Sequence, residues 1–278
     1  MQKATENKLN RLKEDITKLE RVVVGFSGGV DSTLMLKISI DVLGNKNVWA
    51  VTGDSESLMP EELDLCRELA SRLGLAAENY LEIKTDELKD PDYRKNPENR
   101  CFYCKQELFG RLVEIAEKTG AKYVLDGSNA DDLDDWRPGR MAARKLNVVS
   151  PLADAGITKD EIREIARELG LPNWEKPALA CLASRIPYGS EITAEKLFQI
   201  AEAERFIKSL GFSQFRVRHH GDMARIEFVK DEIGRIFENG MADRISSQLK
   251  IIGFTYITVD LAGYRRGSMN ENINKGGK

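Results

Sequence analysis

Ser27-Gly28-Gly29-Val30-Asp31-Ser32 concentrates two hydroxyls, two glycines and a carboxylate in six residues. It follows the apolar run Val22-Val23-Val24-Gly25-Phe26 and leads into Thr33-Leu34-Met35-Leu36-Lys37. That order reads as a buried strand, a tight turn and the start of a helix. Such a junction makes an anion site, because N–H groups of the loop and first turn lack intrahelical partners and the helix dipole favours negative charge there. Gly28 and Gly29 let a phosphate approach the backbone with no Cβ in the way. Ser27 and Ser32 add hydroxyl donors, and Ser32 is also placed to cap the helix. The Gly-Lys-Ser/Thr ending of a Walker A loop is absent.

Two further groups carry chemistry. Asp126-Gly127-Ser128-Asn129-Ala130-Asp131-Asp132 gathers carboxylates of the kind that hold Mg²⁺ beside nucleotide phosphates. Gly127 allows close backbone approach, and Asn129 offers a polar edge to a ligand. Arg137 and Arg140 follow, with guanidinium geometry suited to a carboxylate or phosphate. The other group is sulfur. Cys101-Phe102-Tyr103-Cys104 precedes a helix, and Cys181 stands alone in Pro177–Arg185. Cys66, on the apolar face of its own helix, reads as a core residue. Three thiolates in loops near one pocket can hold a 4Fe-4S cluster and leave one iron open. A zinc site, a redox pair and unliganded thiols remain alternatives. Zinc would need a fourth ligand, and both histidines, His219 and His220, fall far along the chain.

The elements that must position these groups alternate. Leu9, Leu12, Ile16 and Leu19 mark a helix over 4–19. Strands are expected at Val22–Phe26, Val48–Thr52, Tyr80–Ile83, Tyr123–Leu125 and Val148-Val149. Helices are expected to about Leu43, from Pro60 to Gly74, over 104–118, and from Lys159, capped by Thr158, to Leu169. This is the α/β pattern of a parallel sheet with helices on both faces. Ligands of such sheets sit beyond the carboxyl ends of the strands. The glycine loop, Thr52 to Ser55, and Asp126 to Asp135 all fall there. Residues 1–172 form this domain. Residues 173–190 hold three prolines and read as a linker, 191–269 as a smaller α+β domain, and 270–278 as a polar tail.

Composition narrows the class. The 278 residues carry 42 basic and 45 acidic side chains, a formal charge of −3, which argues against a protein built to grip nucleic acid. No apolar run approaches the roughly 18 residues of a membrane span. Met1 to Glu20 lacks the apolar core of a signal peptide, so a cytoplasmic location with reduced cysteines is expected.

Ser-Gly-Gly-Val-Asp-Ser resembles the PP-loop of ATP pyrophosphatases, which hold the pyrophosphate half of ATP in this loop and attach AMP to a substrate oxygen. Over nearly the whole chain the likeness is closer. The PP-loop, Gly127–Asp132, Arg137-Pro138-Gly139, Ser150-Pro151-Leu152, Trp174–Ala178, Cys181–Gly189 and Arg216-Val217-Arg218-His219, in that order, resemble the LarE family. LarE proteins are sulfur transferases of nickel-pincer nucleotide cofactor synthesis. The resemblance implies ATP, Mg²⁺ and a small nucleotide substrate, pyridinium-3,5-biscarboxylic acid mononucleotide. Each carboxylate would be adenylated with loss of pyrophosphate, and sulfur would then displace AMP. ATP contacts would come from Ser27, Gly28, Gly29, Asp31, Ser32, Thr52, Ser55, Gly127 and Asn129, and Mg²⁺ contacts from Asp31 and Asp132. Asp31 and Cys181 would be catalytic.

Two sulfur sources occur in that family: a cysteine at the position of Cys181 that gives up its own sulfur, or a 4Fe-4S cluster on three cysteines. Cys101, Cys104 and Cys181 together resemble the cluster form. Substrate contacts would come from Arg137, Arg185, Glu204, Arg216, Arg218, Glu227 and Arg265. The family is hexameric, so a homohexamer is implied. The rival readings are a PP-loop tRNA thiolase and an adenine-nucleotide binding module without chemistry.

Overall fold

The computed structural model describes residues 1–133, 138–177, 180–265 and 267. In chain order its first elements are α1 (Lys3–Thr17), β1 (Val22–Gly25), α2 (Val30–Leu43), β2 (Val48–Asp54), α3 (Pro60–Arg72) and β3 (Tyr80–Lys84). After them come α4 (Pro91–Arg94), α5 (Arg100–Thr119), β4 (Tyr123–Leu125), α6 (Pro138–Lys145), α7 (Pro151–Asp154) and α8 (Lys159–Glu168). The chain divides into two compact units: Met1–Asp90 with Asn99–Leu179, and Pro91–Glu98 with Ala180–Lys278. Among the described residues no helix is long and apolar enough to cross a membrane.

The first unit is built on a parallel sheet of order β3-β2-β1-β4. Successive side chains of a strand point to opposite faces, and here both faces are covered. Val22 and Val24 of β1, with Val48 and Ala50 of β2, enter a core shared with Leu12, Ile16, Leu34, Ile38 and Ile162. Val23 and Val51 enter the opposite core, with Phe109, Leu112 and Ala142. Burial on both sides is why these strands read as near-continuous apolar runs.

Three local outcomes differ from the sequence reading. The strand expected at Val148-Val149 is a single parallel bridge between Val149 and Leu125. Pro151 follows at once and has no N–H to extend a ladder; instead it opens α7. Residues 138–145, given no element in advance, form α6, led by Pro138 at a position where proline suits a helix. The third concerns the Cys-x-x-Cys. α5 starts at Arg100 rather than 104, so Cys101 lies in its first turn and Cys104 opens the second. No breaker follows Pro97, so nothing in that sequence delays the helix.

The second unit contains α9 (Ala194–Ser209), β5 (Phe215–His220), β6 (Met223–Phe228), α10 (Met241–Ile252) and β7 (Tyr256–Val259). β6 pairs antiparallel with β5 and parallel with β7. Phe212, Phe215, Phe228, Ile245 and Leu249 form its core. Residues 91–98 belong here through Asn96. Its carboxamide donates to the carbonyls of Ile186, Pro187 and Ser190, and its own carbonyl accepts from Gly189 N.

Candidate active site

The glycine loop lies between β1 and α2, and its carbonyls are turned into the protein. Phe26 O accepts from the Thr52 hydroxyl at 2.9 Å. Gly28 O accepts from Asn173 Nδ2 at 3.0 Å. Gly29 O accepts from Thr33 N and from the Ser32 hydroxyl. Among the described residues the N–H groups of Gly28, Gly29 and Val30 have no protein acceptor. Inward carbonyls with outward N–H groups at a helix N-terminus form an anion cradle. Ser32 sits at the loop's centre, its oxygen 3.2 Å from both Ser27 N and Ser27 Oγ. It caps no helical N–H of its own, so the expected capping role is replaced by this internal tie.

Gly28 has φ +64°, and a Cβ there would lie 3.0 Å from Cys66 Sγ. Cys66 is therefore the loop's floor, and burial pushes its thiol up to about 11, which leaves it an inert neutral group. Gly28→Ala is expected to weaken ATP binding by about 1–3 kcal/mol through left-handed strain. Calorimetric titration with ATP checks this.

The acidic loop approaches the same cradle. A Cβ on Gly127 would meet Ser32 N at 2.9 Å, Ser32 Cα at 3.1 Å and Asp31 C at 3.2 Å, so this glycine admits the backbone of α2. Asp126 accepts from Ser128 N and from its hydroxyl. Asn129 and Asp132 form a reciprocal capping box: Asn129 Oδ1 accepts from Asp131 N, and Asp132 Oδ2 accepts from Asn129 N. Both are buried, and these bonds shape the loop. Arg140 donates to the carbonyls of Asp132 and Leu133. Arg137 lies outside the described residues.

Lys159 is one of two residues that the sequence motifs do not flag. Its ammonium lies 2.6 Å from both carboxylate oxygens of Asp31, and its backbone N–H donates to Asp131 at 2.8 Å. A lysine in the first turn of a helix opposes the dipole; that local conflict was a legible signal that an anion faces it. Asn173, the other missed residue, stands in a Leu-Pro-Asn-Trp turn that gives no such sign. At the next strand end, Thr52 is buried and pins Phe26. Ser55 donates to Glu87 Oε1 at 2.5 Å and contacts the Ser57 hydroxyl.

The cysteines divide between the units. Cys101, exposed, and Cys104, half-buried, stand three residues apart near the start of α5, so they share a face. Gly139 brings α6 close to α5, where a Cβ would lie 3.0 Å from Lys105 Cγ. Cys181, exposed, belongs to the second unit and precedes a 3-10 turn, Leu182–Arg185. Among the described residues no three His, Cys, Asp or Glu side chains converge closely enough to hold a metal ion.

Around Cys181 the expected substrate ligands pair with one another. Arg185 Nε and Nη2 each donate to Glu204 at 2.9 Å, while Nη1 donates to Ala180 O, Cys181 O and Ser184 Oγ. Glu204 also accepts from Val217 N. Arg218 joins Ser184 O to Glu227, which also pairs with Arg225. Arg185, Glu204, Arg218 and Glu227 are all buried. Arg216 lies over the Tyr264 ring, and burial together with the Arg185 charge lowers its pKa. Arg265 donates to Gly263 O and faces Asp260 at 3.7 Å. His219 donates through Nε2 to Gln199 Oε1 at 2.9 Å, and burial lowers its pKa to about 4, so it is neutral at pH 7.

Known proteins are similar to this chain in sequence. The NAD synthase family model matches residues 4–97. An uncharacterized protein of Synechocystis sp. is 44% identical over 97% of this chain and 99% of its own length. The pyridinium-3,5-bisthiocarboxylic acid mononucleotide synthase of Lactiplantibacillus plantarum is 42% identical over 92% of this chain and 91% of its own. A glutamine-hydrolyzing GMP synthase of Bdellovibrio bacteriovorus is 27% identical over 70% of this chain and 42% of its own.

Proposed function

The chain belongs to the LarE family of ATP-dependent sulfurtransferases, and on that premise we propose that it converts pyridinium-3,5-biscarboxylic acid mononucleotide to the bisthiocarboxylate. The observation that carries this reading is the glycine loop with its carbonyls turned in and its N–H groups free for phosphate. A carboxylate is a poor electrophile because its oxygen leaves badly. Its oxygen attacks the α-phosphorus of ATP, and pyrophosphate leaves. The loop N–H groups and Lys159 stabilise the charge that develops on that leaving group. A sulfur nucleophile then attacks the carboxyl carbon, AMP departs, and a thiocarboxylate remains.

Asp31 is the Mg²⁺ ligand in this scheme, and the metal would take over the carboxylate that Lys159 holds. Asp132, engaged in its capping box, is the weaker of the two expected ligands. Mg²⁺ would offset phosphate charge. For sulfur, the donor chemistry of Cys101, Cys104 and Cys181 suits a 4Fe-4S cluster: three thiols, of which Cys101 and Cys181 are exposed and Cys104 is half-buried. Such a cluster would supply an open iron site for sulfide. Arg185 and Arg218 hold the backbone around Cys181, which keeps that thiol in one place for either sulfur route. Arg216 and Arg265, less enclosed, are the arginines best placed for an anionic substrate. We extend the reading to a cytoplasmic homohexamer with no nucleic-acid partner, checked by mass measurement in solution and by a tRNA-binding assay.

The test is incubation of anaerobically purified protein with ATP and the biscarboxylate nucleotide. AMP and pyrophosphate in equal amounts are expected, with thiocarboxylate product. Formation of neither AMP nor pyrophosphate would overturn the adenylation reading. Cys101→Ala is expected to bind ATP as the wild type does but to lose iron and sulfur transfer together. An intact polypeptide mass lowered by one H₂S after turnover would replace the cluster with Cys181 as the sulfur donor.

A further inference from the structure

The clamp on the Gly28 carbonyl comes from 145 residues away. Asn173 is 6% exposed, and its Nδ2 donates both to Gly28 O at 3.0 Å and to the Thr33 hydroxyl at 2.9 Å. A backbone carbonyl only accepts, so the amide face turned to Gly28 must be the NH₂. The Gly28 carbonyl and the Gly29 N–H are two ends of one peptide unit. Holding the oxygen inward holds that N–H outward, toward the phosphate.

This peptide is also the one most free to turn over. It is flanked by glycine on both sides, so no Cβ opposes rotation. Flipped, it would present a carbonyl oxygen to the phosphates in place of an N–H, and repulsion would replace attraction. Ser32 and Thr33 secure the next carbonyl, Gly29 O, from within the loop's own helix. The oxygen of Gly28 has its side-chain donor from the turn after α8. We infer that Asn173 is a positioning residue of the phosphate site, keeping the Gly28–Gly29 peptide in its anion-binding orientation. The inference rests on the reading that this loop takes the pyrophosphate half of ATP.

Gly29 supplies the test. Its φ is −76°, and a Cβ there would meet nothing nearer than Ser27 Oγ at 3.5 Å. Alanine therefore fits the observed orientation. Turning the peptide over would carry φ of residue 29 to positive values, which alanine resists. Gly29→Ala should then hold the peptide in place without help from Asn173. The measurement is calorimetric affinity for inorganic pyrophosphate, with melting temperature followed in parallel. Asn173→Asp, which removes the donors at constant shape, is expected to weaken binding on the order of 30-fold. In a Gly29→Ala background the same change should weaken it by less than about 3-fold relative to Gly29→Ala alone. Thr33→Val, which removes only the second acceptor, should stay within about 3-fold of wild type. Asn173→Ser carries the same expectation as Asn173→Asp if the charged variant does not fold.

Wild-type affinity in Asn173→Asp would overturn the inference. So would an equal loss in both backgrounds, or a loss in Thr33→Val as large as in Asn173→Asp, either of which would make Asn173 an anchor of α2 only. A wild-type protein that binds no pyrophosphate would overturn the nucleotide reading itself, a separate result visible in the first titration.

Discussion

Gly127→Ala is expected to lower the rate of AMP formation about 100-fold, because misplacement of a reacting group by about 1 Å has that effect. The methyl group would sit 2.9 Å from Ser32 N and 3.2 Å from Asp31 C. Those are backbone atoms in the first turn of α2 and cannot rotate aside as a side chain would. Either the acidic loop withdraws or the glycine loop is pushed out of register. Withdrawal is opposed by the capping box of Asn129 and Asp132 and by the tie from Lys159 N to Asp131. Overpacking at such a contact costs about 1–3 kcal/mol of stability, so the variant should still fold. The discriminating measurement is AMP release against melting temperature. A Gly127→Ala protein with wild-type rates would show that the two loops do not act as one unit.

Glu204→Ala is expected to destabilise the second unit by about 3–5 kcal/mol, the usual effect of leaving a buried charge without its partner. Glu204 receives both Nε and Nη2 of Arg185 and the Val217 N–H. Without it, Arg185 remains buried, and its hold on Ala180 O and Cys181 O loses its anchor. Thermal unfolding should shift down, and sulfur transfer should fall while ATP binding persists. Arg265→Ala is the contrast, since its 3.7 Å pairing with Asp260 is partly exposed and such pairs contribute about 0–1 kcal/mol. If Glu204 instead touched substrate, Glu204→Ala would raise KM for the biscarboxylate nucleotide and leave the melting temperature alone. Arg185→Lys should resemble the alanine variant more than the wild type, because an ammonium cannot reproduce two parallel donors.

Much of the active-site half was readable beforehand. The apolar runs of β1 and β2 announce strands buried on both faces, and Ser27–Ser32 lies between a strand and a helix, as its glycines and flanking apolar runs predict. Thr158 ahead of Lys159 predicts a helix cap, and its capping box with Glu161 is present. Val148-Val149 misled because periodicity reports apolar pairs and not whether a ladder can continue past Ser150-Pro151.

The amino-acid sequence by itself determined the local chemistry: a glycine turn between strand and helix, a carboxylate-rich loop, three cysteines outside apolar stripes and the LarE likeness spread along the chain. Those features depend on neighbouring residues, which a linear reading contains. Tertiary structure alone decided which groups face one another. It joined Lys159 to Asp31 and Asn173 to Gly28, and set Gly127 against the backbone of α2. It also turned Arg185, Arg218, Glu204 and Glu227 from a row of candidate ligands into two buried ion pairs behind Cys181. Charge and hydrogen-bond partners as far apart as Asn173 and Gly28 are set by packing of the sheet and helices, and no spacing in the sequence encodes them.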